Sequence, residues 1–124
     1  MPRKTRQPKW LPKVEEHDFA AAASYLGLIH PQAQCKTLVA ALRATELTQF
    51  KAKDICRASG LSLLGISNSH VEKDRAQIDK GEPLSPLLLV RDEKNGKVIV
   101  ADGYHRLCAV YQVDEDAWIP CKIV

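Results

Sequence analysis

The chain has 124 residues, 45% hydrophobic and 27% charged, which suits one domain with a modest core. No stretch approaches the roughly 20 apolar residues of a membrane span, and no apolar signal-peptide core follows the basic N-terminus, so a cytoplasmic protein is expected. The formal charge of +3 is uneven: Arg3, Lys4, Arg6, Lys9 and Lys13 lie in the first 13 positions without an acid, leaving 13 bases against 15 acids elsewhere.

Pro2, Pro8 and Pro12 keep this basic segment from becoming helical, so residues 1–17 are predicted to be a flexible arm. Its charges suit at most weak contact with nucleic acid. Residues 18–124 are predicted to form a single α+β domain, helical over 18–66 and carrying a small mixed sheet and the site over 67–124. Asp18 is the expected N-cap of a first helix with Phe19, Ala22, Ala23 and Leu26 on one face. Pro31 ends it and opens a second, in which Cys35, Leu38, Val39 and Leu42 keep the spacing of a buried stripe. A third helix is expected from about Thr48 to Ser59, with Ile55 and Cys56 inward and Gly60 as its stop. Residues 50–61 also resemble the start of a helix-turn-helix, with Lys51, Lys53 and Arg57 facing phosphates. The apolar stretch before Gly65 is too short for a recognition helix and has no side chains to read base edges, so a solvated helix face is the preferred reading.

Ser69 and Glu72 form a Ser-x-x-Glu capping box, which predicts a helix from His70 to just before Gly81, with Val71, Arg75 and Ile78 along it. Asn95-Gly96 lies between two apolar runs and predicts an antiparallel hairpin of 87–91 with 97–101. The β-branched run Val98, Ile99, Val100 suits a strand buried on both faces, read as central in the sheet. Asp114, Glu115 and Asp116 read as a solvated loop, and 118–124 as a last strand in which Pro120 suggests an edge or an entry position. The four cysteines, Cys35, Cys56, Cys108 and Cys121, are too scattered for a zinc pattern and are expected as buried thiols.

The chemistry concentrates at Asp102-Gly-Tyr-His-Arg106. The apolar period switches there from strand to helix, with Leu107, Val110 and Tyr111 at i, i+3 and i+4, so the chain should turn at Gly103 into a helix through about Gln112. The unpaired N–H groups of a first helical turn attract anions. Arg106 is placed to grip phosphate oxygens, His105 to join it, and Asp102 to hold magnesium or accept a proton. Each residue also has a structural alternative: Asp102 as a cap, Gly103 for backbone freedom, His105 as an ordinary partly buried side chain, Arg106 paired with a carboxylate.

These residues, with the preceding segment 80–91, resemble the ParB N-terminal and sulfiredoxin-like superfamily over about 67–124. Gly103, His105 and Arg106 match the Gly-Cys-His-Arg segment that binds ATP phosphates in sulfiredoxins, and Tyr104 replaces the cysteine nucleophile, so sulfinic acid reduction is not expected. Gly103 and Arg106 match the CTP-binding segment of partition proteins, and Asp102-Gly103 that of a related serine kinase branch. The resemblance implies binding of a nucleotide (ATP, ADP or CTP) with magnesium at Gly103, Tyr104, His105 and Arg106. It also implies that the loop before the His70 helix lies near the nucleotide, which makes Asn68 and His70 candidates for substrate or metal contact, with Asp102 as metal ligand and Asp102 and His105 as candidate catalytic groups. Two functions follow as expectations: magnesium-dependent phosphoryl transfer or nucleotide hydrolysis, or a non-catalytic, DNA-associated or regulatory module related to partition proteins.

Overall fold

The computed structural model describes residues 7–65 and 68–124 and shows an α+β fold. Two helices, α1 (Glu16–Ile29) and α2 (Gln32–Ala44), precede a short strand β1 (Thr48–Lys51) and helix α3 (Ala52–Ser59). Then come α4 (Ser69–Asp79), the hairpin strands β2 (Leu87–Asp92) and β3 (Lys97–Asp102), α5 (Tyr104–Val113) and β4 (Trp118–Ile123). The sheet order is β1-β4-β2-β3. Strands β1 and β4 are antiparallel, as are β2 and β3, whereas β2 and β4 run parallel.

Helices cover both faces of this sheet, and the alternation along β2 shows how. Leu87 and Leu89 join Val100, Ile119 and Cys121 in one core with Ile55 of α3, Val71 and Ile78 of α4 and Leu107 and Val110 of α5. Leu88 and Val90 join Ala101 in a second core with Phe19, Ala22 and Leu26 of α1 and Cys35 and Leu42 of α2. Successive strand residues point to opposite faces, so a run of four buried residues in β2 is the signature of a strand covered on both sides. Each Å2 of apolar surface removed from water contributes about 25 cal/mol, which makes these two cores the main source of stability.

Several expectations are corrected here. Residues 48–51 form β1 instead of opening the third helix, because β4 supplies backbone partners from Thr48↔Cys121 to Lys51↔Trp118. The first part of the chain therefore contributes a strand to the sheet and is not wholly helical. Among the described residues strand β3 pairs only with β2, so it is an edge strand in hydrogen bonding, although its side chains are divided between both cores. Strand β4 is interior, and Pro120 is tolerated because pairing with β2 begins only at Cys121. The hairpin forms over the expected strands, but a 3-10 turn at Glu93–Asn95 with Gly96 in the left-handed region links them, not a two-residue turn.

The basic arm is not loose throughout. Arg3, Lys4 and Arg6 lie outside the described residues. From Lys9 the chain is docked: Leu11 N–H donates to the Leu84 carbonyl and Leu84 N–H to the Lys9 carbonyl, both at 2.8 Å, and Trp10 packs against the first core. Helix α1 begins at Glu16, with Glu15 at the N-cap, so Asp18 lies inside the helix and caps nothing. Among the described residues no helix is long and apolar enough to cross a membrane.

Candidate functional site

The turn at the end of β3 positions the site. Leu88 of β2 stands opposite Asp102 and Leu89 opposite Val100, so Ala101 is an extra residue and β3 bulges just before the turn. Such a bulge twists the strand and re-aims the next side chain. Gly103 follows at φ +106°, in the left-handed region, and α5 starts with no side-chain cap and no acid in its first turn. Asp102 thus does not act as the cap. The N-terminus of α5 presents its unpaired N–H groups beside α4, with which it packs closely.

Between α4 and this turn is a recess of about 150 Å3 lined by His70, Lys73, Asp74, Asp102, Gly103, His105 and Arg106. The structure brings together five residues expected from sequence: His70, Asp102, Gly103, His105 and Arg106. The rings of His70 and His105 meet across the two helices, with centroids 4.8 Å apart and planes inclined by 40°. Asn68 has a structural role, since its Oδ1 accepts from the N–H groups of His70 at 3.0 Å and Val71 at 3.3 Å and caps α4. The cap is one residue earlier than the Ser69 expected from the capping box. Tyr104 is absent from the lining and packs against the first core, and its hydroxyl titrates higher than usual, chiefly through burial and then through Cys108.

Lys73 and Asp74 were missed by sequence reasoning, though a signal was there. With α4 starting at Ser69, positions 70, 73 and 74 fall at i, i+3 and i+4, on one face of the helix. Burial raises Asp74 above the ordinary carboxyl range, against the opposing charges of Arg106, His105, Lys73 and His70.

Arg106 is engaged from behind. Its Nη2 donates to Asp102 Oδ2 at 3.1 Å, Asp18 Oδ2 at 3.3 Å and the Pro86 carbonyl at 3.4 Å. The Asp18 side chain is only 4% exposed, and its other oxygen lies 3.2 Å from His17 Nε2. Arg106 Nε is buried and meets no acceptor among the described residues. Two carboxylates thus face one guanidinium. Burial raises Asp102, Arg106 pulls it back and the neighbouring Asp18 raises it further.

No protein-family model, curated protein or solved structure matches the chain. The site is therefore judged on its own geometry. Magnesium finds little to hold it: Asp102 is bonded to Arg106, and among the described residues no three His, Cys, Asp or Glu side chains are grouped to bind a metal. These residues do not fit a protein-held magnesium.

All four cysteines are unbridged, and Cys108 is buried one turn into α5, where its sulfur accepts from the Leu64 N–H at 3.5 Å. Burial pushes the thiols of Cys56 and Cys121 up to about 11, which leaves little thiolate at neutral pH. Because Cys108 is almost wholly buried, in the folded protein it should react with an aromatic disulfide reagent at least about tenfold more slowly than after unfolding in urea. Rapid stoichiometric labelling of native Cys108, read by mass spectrometry, would contradict this placement.

Proposed function

We propose that the recess between α4 and the β3-α5 turn binds a phosphate group of a nucleotide, ATP, ADP or CTP. The observation that carries this reading is the meeting of an uncapped helix N-terminus with Lys73, His70, His105 and Arg106 in one polar recess. A recess of about 150 Å3 is smaller than the roughly 300–1,000 Å3 of ordinary ligand sites, so it suits one charged group, with the sugar and base outside it. Gly103 contributes by its left-handed backbone, which turns the chain so that α5 begins at the recess. The resemblance to ParB and sulfiredoxin-like proteins supports the same ligand class, and any magnesium would arrive on the nucleotide.

Two uses of such a site differ in chemistry. Phosphoryl transfer or hydrolysis would need Asp102 or His105 to handle a proton at the reacting group. A binding or regulatory module, DNA-associated or not, needs only the anion contacts. The bond from Arg106 to Asp102 favours the second use, because it ties one oxygen of that carboxylate to a neighbouring side chain. Contact of the basic N-terminal segment with nucleic acid belongs to the same proposal.

Calorimetric titration of ATP, ADP and CTP into the full chain tests the reading. Lys73 is exposed and outside the Arg106 ion pairs, so Lys73→Ala should keep the fold and weaken nucleotide binding about threefold to tenfold. Absence of binding by the folded wild type would overturn the nucleotide reading. Phosphate release from ATP that falls in Asp102→Asn at unchanged affinity would establish turnover over simple binding.

A further inference from the structure

We infer that anion binding in this recess is coupled to proton uptake by the His70 and His105 pair, so that the site fills in mildly acidic solution and empties as pH rises. The inference rests on the phosphate-site reading and adds its regulation. His70 comes from α4 and His105 from α5, and both rings line the recess with centroids 4.8 Å apart. At this spacing one anion can face both rings, and protonation of either puts a positive charge beside it. Histidine is the side chain that ordinarily changes charge between about pH 5 and 8, so this coupling acts at physiological pH.

The surrounding charges leave the response to the rings. Lys73 of α4 adds positive charge to the recess, while Asp74 on the same helix is near both rings. Asp102 of β3 and Asp18 of α1 face Arg106 of α5, and His17 pairs with Asp18 on the far side. Tyr104 lies with its ring 5.7 Å from His105. An arriving dianion makes the imidazolium forms favourable, and by linkage protonation tightens the anion by the same factor.

Inorganic sulfate is the probe, because it stays dianionic across the histidine range, whereas phosphate monoesters titrate near pH 6 themselves. Titration of the full chain in buffers of different ionisation enthalpy should show about one proton taken up per sulfate near pH 7, with affinity falling up to about tenfold per pH unit above it. His70→Asn and His105→Asn should each weaken sulfate severalfold near pH 6 and flatten the slope, with circular dichroism showing the fold kept. Sulfate affinity independent of pH would overturn the inference. So would a slope that survives in the double histidine variant and disappears in Asp74→Asn. Proton-linked sulfate binding with no tighter binding of ATP, ADP or CTP would support the linkage and remove the nucleotide. Nucleotide binding with no pH dependence beyond that of its own phosphate would do the reverse, and no binding of any anion would remove both.

Discussion

Arg106→Ala should lower the stability of the folded chain by about 3–5 kcal/mol, the usual cost of removing one partner of a buried ion pair. Without the guanidinium, the Asp18 carboxylate remains nearly fully buried with Asp102 beside it and only a surface histidine to offset the charge. Domains of this size have roughly 5–15 kcal/mol in total, so the variant should unfold at a much lower urea concentration. The penalty belongs to the stranded carboxylate, and a second substitution can separate it. Arg106→Ala made in an Asp18→Asn background should cost clearly less than in the wild type, with a coupling of about 1–3 kcal/mol in a double-mutant cycle. A loss below about 1 kcal/mol in the single variant would show that Asp18 does not depend on Arg106 for its burial. Since Arg106 holds α1 to the β3-α5 turn, loss of nucleotide binding by its variants reports on folding and on ligand together.

Gly103→Ala should be nearly as damaging, at about 2–5 kcal/mol, from two additive causes. An alanine at φ +106° is strained whatever surrounds it, and its Cβ would stand 2.7 Å from Leu87 Cγ and 3.0 Å from Arg106 Nη2. Leu87 is fully buried and paired in β2, so it has no room to retreat. Gly96 provides the control. Its φ is +62° and a Cβ there meets nothing within 4 Å, so Gly96→Ala should show the backbone cost alone, about 1 kcal/mol. Equal melting temperatures for the two variants would mean that the contact with Leu87 relaxes freely.

What the sequence shows of this molecule is what is decided locally. The hairpin, the glycine that ends α3 and the change from strand to helix at Gly103 depend on neighbours a few residues apart, and each lies where the pattern puts it. Strand β1 does not, because Thr-Gln-Phe-Lys has no strong preference of its own and becomes a strand through β4. The run Val98-Ile99-Val100 shows that both faces of β3 are covered, yet the number of its hydrogen-bonded neighbours leaves no trace in side-chain type. Asp18 is the instructive residue of the site. One turn before Ala22 and two before Leu26, it is a carboxylate on a buried stripe, and that position calls for a cationic partner as much as for a helix cap. The partner, Arg106, is 88 positions away. Nothing local could have named it.

The interior place of β4 bears on how the chain is made. Among the described residues strand β1 has no strand neighbour other than β4, and β4 also joins β1 to the β2-β3 hairpin. During synthesis the hairpin and helices can form early, but residues 48–51 must wait unpaired until 118–123 leave the ribosome. Pairings so distant in sequence close slowly. In the interval β2 presents a bare apolar edge to other nascent chains, so a chaperone that shields strand edges should raise the soluble yield of this protein more than one that isomerises proline.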